Sequence, residues 1–268
     1  MTEPQPQLPS PEGREFLDVD GRRIAVLAAP ARKAPCGLFW LSGFKSGMVS
    51  TKAAALAEFA QGRFAMTRFD YSGHGQSSGQ FEEGTIGDWL DEAEAVFAKV
   101  STGPQIVIGS SMGGYIALLL LRRLLRRTQG EAARVKALVL IAPAWDMTEA
   151  LMWRAFTPYQ QAALMAEGFY MRPAEYGEPY KITRDLIEEG RAHLIGGHPF
   201  DPGRPVHIFQ GLLDDSVPPA HTRALLGLLP GGHVTLEEIP DGDHRLSRPG
   251  DIARLCAVVT ALAQSTLT

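Results

Sequence analysis

The feature that most constrains the fold is a junction. Residues 105–110 (QIVIGS) form an apolar run of strand length, and a helical pattern begins at Ser111 with no spacer between them. Across this junction lies Gly109-Ser110-Ser111-Met112-Gly113, a G-x-S-x-G. The chemistry that uses such a segment needs a hydroxyl standing clear of the backbone on a sharp strand-to-helix turn. Glycines on both flanks let strand and helix approach closely there. The helix start aims backbone N–H groups, and the positive end of the dipole, at developing negative charge. A G-x-S-x-G alone is common; between a strand and a helix it is specific. Ser110 is the neighbouring hydroxyl, but Ile108 stands where its leading glycine would be.

The rest of the chain repeats this strand-then-helix order. Residues 15–19 and 22–28 read as two strands around Asp20-Gly21, a hairpin signal. Residues 36–41 and 63–69 read as strands, with a helix at about 51–61 between them. Ile86, Trp89, Leu90, Ala93, Val96 and Phe97 recur at helical spacing. Further apolar strands are expected at 136–143, 205–213 and 233–239, and a closing helix carries Ile252, Leu255, Cys256 and Val259. This order predicts an α/β fold with a mostly parallel central sheet flanked by helices. Ligands then bind at the carboxyl ends of the strands.

Residues 145–198 break the pattern and show no convincing strand. They hold four of the six tyrosines, two of the four tryptophans and four of the eight methionines, which singles them out as a separate unit. They are expected to form a small helical cap between core segments 14–144 and 199–268. Trp153, Phe156, Tyr159, Met165, Phe169 and Tyr170 are its candidate pocket lining; the alternative is that they glue the cap to the sheet.

A serine hydroxyl is a weak nucleophile without a base. In a strand–turn–helix setting the partners follow in the order acid, then histidine. His244 lies in the polar loop Asp241-Gly242-Asp243-His244, between the strand at 233–239 and the last helix. His207 and His233 belong to strands, and His193, His198 and His221 have no strand end behind them. His244 is therefore the expected base. Asp214 and Asp215 both follow the strand at 205–213; Asp214 comes first off the strand and is the expected acid, with Asp215 as the alternate. The oxyanion needs two N–H donors. One is the amide of Met112. The other is expected from Ser42-Gly43-Phe44, at the amide of Phe44. His74, in Asp70-Tyr71-Ser72-Gly73-His74-Gly75, precedes the nucleophile and reads as part of a structured loop.

Composition excludes other classes. A formal net charge of −4 does not suit a phosphate-tracking nucleic-acid binder. Arg122, Arg123, Arg126 and Arg127 read as the solvated face of one helix. Two cysteines give no disulfide framework. The longest apolar stretch is too short to span a bilayer, so no stable membrane insertion is expected. Residues 1–13 are polar and proline-rich, without the marks of a signal or transit peptide, and read as a flexible tail; a cytoplasmic location is the expectation. The reaction requires no metal and no organic cofactor.

Together these residues resemble the α/β-hydrolase superfamily, from about residue 20 onward. The narrower segments are LSGFKSGMVSTKA (41–53), RFDYSGHGQSSG (68–79), GPQIVIGSSMGG (103–114), GLLDDSVP (211–218) and DGDHRLSRP (241–249). As a set they look like the mitochondrial α/β-hydrolase-domain enzymes known as palmitoyl-protein thioesterase and acyl-glucuronide esterase. That resemblance implies a triad of Ser111, Asp214 and His244, and hydrolysis of cysteine thioesters or acyl glucuronides. The implied partner is a small-molecule or lipid-acyl ester or thioester, or an acylated protein. A lipase, lactonase or carbon–carbon hydrolase would use the same three residues with another pocket. A dehalogenase or epoxide hydrolase would carry Asp in place of Ser111. A ligand-binding module of this fold without catalysis is the other class, although such proteins usually lack the triad.

Overall fold

The computed structural model describes residues 14–31, 34–173 and 179–265, so the expected tail at 1–13 lies outside the described residues. In chain order the elements are β1 (Arg14–Val19), β2 (Arg22–Ala29), β3 (Gly37–Leu41), α1 (Thr51–Ala60), β4 (Ala65–Phe69), α2 (Ile86–Lys99), β5 (Gln105–Ser110), α3 (Met112–Arg127), α4 (Gln129–Arg134), β6 (Val135–Ile141), α5 (Pro158–Glu167), β7 (Phe169–Arg172), β8 (Tyr180–Thr183), α6 (Arg184–Gly190), β9 (Val206–Gly211), α7 (Pro219–Leu226), β10 (Val234–Ile239) and α8 (Pro249–Ser265).

Strand alternation builds a two-faced sheet. Phe39, Leu41, Val107, Leu138 and Leu140 enter the apolar core that packs α2 and α3. Their chain neighbours Leu38, Trp40, Ile106, Ile108 and Val139 enter a second core with α1 and α8. Successive residues of a strand point to opposite faces, so continuous apolar runs are what a sheet covered on both sides requires. The eight-stranded sheet has the order β1-β2-β4-β3-β5-β6-β9-β10. From β4 to β10 neighbouring strands are parallel; β2 is antiparallel to β1 and β4. The β1–β2 turn places Asp20 at φ 51° and Gly21 at φ 78°, the positive pair that a tight two-residue hairpin demands.

Helix α2 forms where a cap and an apolar stripe coincide. Thr85 caps α2 by accepting from the amide of Asp88, and Asp88 bonds back to Thr85. All six residues of the expected α2 stripe are buried. Helix α3 is buried nearly all round from Met112 to Leu121, because it sits between the sheet, α2 and the insertion. Its basic end is not one solvated face, contrary to the sequence expectation. Arg122 donates to the carbonyls of His193 and Leu194, each at 2.8 Å. Arg123 pairs with Asp91 and Glu94.

The chain leaves the sheet after β6 and rejoins it at β9. This insertion is not all helical, which corrects the sequence reading. Between α5 and α6 lies the antiparallel pair β7–β8, with Tyr170 opposite Ile182. Four-residue strands carry too little alternation to be separated from helix by pattern. Gly168, at φ 81°, ends α5 and its carbonyl accepts from the amide of Arg184. Both ends of the insertion meet at buried Asp146, whose carboxylate accepts from the amides of Ile195 at 2.7 Å and Gly196 at 2.8 Å. Among the described residues no helix is long and apolar enough to cross a membrane.

Two outcomes follow from this packing. A Cβ on Gly113 would overlap the carbonyl oxygens of Leu41 and Ser42. Gly113→Ala is therefore expected to cost about 1–3 kcal/mol, read from the urea midpoint. His74, His207 and His221 are each held below the ordinary 6.5, first by burial. The unfolded chain takes up protons at these sites first, so their stabilisation is complete above about 6.5 and lost as pH falls below it. Unfolding free energy measured from pH 7.5 to 5.5 should fall less steeply for His74→Gln than for wild type.

Candidate active site

The site grows from the backbone of Ser111. Between β5 and α3 this residue adopts φ 55°, ψ −117°, a region that costs a non-glycine residue roughly 1–3 kcal/mol. Its surroundings hold it there. Its amide donates to the Ile141 carbonyl at 2.8 Å, and its carbonyl accepts from the amides of Gly114 at 2.9 Å and Ala144 at 3.1 Å. The end of β6 thus fixes the turn from one side.

Two strand-end loops bring the polar partners. Asp214 leaves β9 and its side chain is fully buried. Its Oδ1 accepts from the amides of Val217 at 2.8 Å and Ser216 at 2.9 Å. Its Oδ2 accepts from Gln210 Nε2 at 3.3 Å and from His244 Nδ1 at 2.8 Å. A carboxylate only accepts, so Nδ1 carries the proton and Nε2 of the neutral ring is bare. That bare Nε2 lies 3.1 Å from Ser111 Oγ and can accept a hydrogen bond from its hydroxyl. Asp215, the alternate acid, is exposed. The acid and histidine loops are tied directly: the Leu213 amide donates to the Gly242 carbonyl at 2.9 Å.

The loop after β3 lies against this turn. A Cβ on Gly43 would sit 3.2 Å from the Ser110 carbonyl and 3.4 Å from Ser111 Cβ, so the loop runs close against the Ser111 turn and a side chain here would be tight. The next residues are pinned. Lys45 N donates to His74 Nε2 at 3.1 Å, and His74 Nδ1 donates to the Ser72 carbonyl at 3.0 Å. Asp70 accepts from Met48 N at 2.6 Å and Gln76 N at 2.8 Å; burial pushes its carboxyl upward against those bonds. The amides of Phe44 and Met112 donate to no other described group. His74 therefore has a buttressing contact that spacing alone did not reveal.

A cavity of about 370 Å³ opens at Ser111. Trp40, Gly43, Phe44, Lys52, His244 and Arg245 line it, with hydroxyls from Ser46, Ser50, Thr51 and Ser247. It adjoins a larger cleft of about 710 Å³ through Ser46, Ser50 and Thr51, walled by His74, Phe81 and Tyr180. None of the six expected pocket residues lines either space. Tyr159 is 80% exposed and Met165 39%. Trp153, Phe156 and Tyr170 pack against the core. Phe169 lies under the ammonium of Lys181. Trp153, Phe156 and Tyr170 thus fasten the insertion, and residues 43–52 and 244–247 supply most of the cavity wall. Lys52 was not legible as a site residue, because a lysine in a first helical turn reads as solvated.

The comparisons agree with this architecture. Residues 38–186 match the family model described as "Serine aminopeptidase, S33". A putative hydrolase from Agrobacterium vitis S4 is 39% identical, with a TM-score of 0.89 over 93% of this chain and 98% of its own. Mouse α/β-hydrolase domain-containing protein 10 is 27% identical, with a TM-score of 0.82 over 94% and 98%. The human mitochondrial palmitoyl-protein thioesterase ABHD10 is 30% identical over 86% of this chain and 73% of its own length. The chain belongs to this α/β-hydrolase family and is a relative of ABHD10.

Proposed function

We propose that this hydrolase cleaves carboxylic esters or thioesters through an acyl-enzyme on Ser111. One observation carries the reading: the relay from Asp214 through His244 to Ser111, with contacts of 2.8 Å and 3.1 Å, at the carboxyl edge of a parallel sheet. His244 Nε2 takes the proton as Ser111 Oγ attacks the carbonyl carbon. The C=O bond becomes an oxyanion beside the amides of Phe44 and Met112. Buried Asp214 holds the imidazole in the right tautomer and stabilises its cation. The intermediate collapses, His244 gives its proton to the departing oxygen or sulfur, and the acyl group stays on Ser111. Water then attacks with His244 as base, releasing the acid and the free serine.

The same steps serve an alcohol or a thiol leaving group. The thioester chemistry in the name of ABHD10 is thus within reach of this relay. A cavity rimmed by hydroxyls and cations suits a polar acyl or leaving group better than a long saturated chain. A lipase or lactonase would share every step above, and the reaction class stands apart from that choice. A purely ligand-binding role has no use for a bare imidazole nitrogen against a serine hydroxyl.

A fluorophosphonate probe is expected to label Ser111 in the folded protein. Ser111→Ala should abolish labelling and lower kcat on p-nitrophenyl acetate by roughly 10⁴ or more. Asp214→Asn should lower kcat by a comparable factor, about 10⁴, while leaving the fold intact by circular dichroism. Wild-type turnover by Ser111→Ala would overturn the assignment.

A further inference from the structure

We propose that Lys52 anchors an anionic group of the substrate, a carboxylate or a phosphate, beside the carbonyl attacked by Ser111. The proposal rests on the serine hydrolase reading and adds a substrate class to it.

The observation is an unmatched charge next to the nucleophile. Lys52 stands in the first turn of α1 and lines the cavity that holds Ser111 and His244. Its ammonium donates to the carbonyl of Arg245 and, at 3.4 Å, to Ser247 Oγ. An ammonium has three donors, and these contacts use two. No carboxylate among the described residues lies within ion-pair distance of it. The two acidic groups that act on it through space are committed elsewhere: Asp243 accepts from the Leu246 amide, and Asp251 holds Arg248. Arg245 lines the same cavity and adds positive charge. Among the described residues no acidic side chain lines it. Ser50, the N-cap of α1, makes no side-chain cap bond to that turn, so the helix end contributes potential of the same sign.

Burial lowers the Lys52 pKa to about 8, against the pull of Asp243 and Asp251. An unpaired, half-buried cation is costly to keep. A substrate anion would supply the missing partner and would meet the third N–H. The cation would then be neutralised only when substrate is bound, which makes it a selector rather than a structural ion pair. A charge-assisted hydrogen bond of this kind gives roughly tenfold or more in discrimination.

The test compares matched esters. On the acyl side, mono-p-nitrophenyl adipate is set against p-nitrophenyl hexanoate; on the leaving-group side, 4-carboxyphenyl acetate is set against phenyl acetate. At pH 7 the anionic member of one pair should have a kcat/KM about tenfold above its neutral partner, and the pair that responds tells which side carries the anion. In Lys52→Met that ratio should fall to about one. Because wild type can be read without any variant, a second arm follows its ratio from pH 7 to pH 9. The ratio should decline through about pH 8 as Lys52 loses its proton, and any pH effect common to both esters cancels in the ratio. Ratios near one for both pairs in wild type would overturn the proposal. So would Lys52→Met slowing both members equally, since Lys52 would then act only by holding the loop after His244. Absence of turnover on all four esters together with absence of fluorophosphonate labelling would sink the hydrolase reading itself, and this proposal with it.

Discussion

Everything at the site depends on a backbone held where it would not go by itself. Ser111 has a left-handed φ without being glycine, and the hydrogen bonds from the end of β6 keep it there. Gly113 lets α3 start against the carbonyls of Leu41 and Ser42. Remove either and the hydroxyl, the Met112 amide and the Phe44 loop lose their common reference. The strain is local, and the parallel core around β5 resists its release.

Around that point the loops at one sheet edge are stitched to each other. Asp70 ties the segment at 48 to the segment at 76. His74 receives Lys45. Leu213 reaches Gly242, and Lys52 reaches Arg245. Apart from the bond between Asp70 and Gln76, these bonds join segments more than 20 residues apart, so the cavity is set by several loops of the carboxyl edge together. Such preorganisation is what lets an imidazole wait 3.1 Å from a hydroxyl without a substrate to hold it.

The sheet was legible because buried parallel strands leave continuous apolar runs, and β5 begins and ends where QIVIGS does. Ser111, Asp214 and His244 were legible as candidates because each follows a strand end in the required order, and the structure brings them together. The insertion was less legible. FYMR and YKIT are too short for their period to separate strand from helix. Its aromatic residues reveal that something is buried, but not against which surface; Trp153, Phe156 and Tyr170 turned toward the core. Lys52 was invisible for a different reason. Its meaning lies in a carbonyl 193 residues away, and local pattern carries nothing over that separation.

The buried carboxylate of Asp146 has a consequence for how such proteins diversify. It gathers Ile195 and Gly196 against the start of the excursion from the sheet, while Arg122 grips the carbonyls just before them. The loop is therefore closed at its neck. What lies beyond that neck can lengthen, shorten or exchange a hairpin for a helix without transmitting the change to β6 or β9. A reaction centre built on the rigid side of such a neck can stay constant while the exchangeable side is rewritten for new guests.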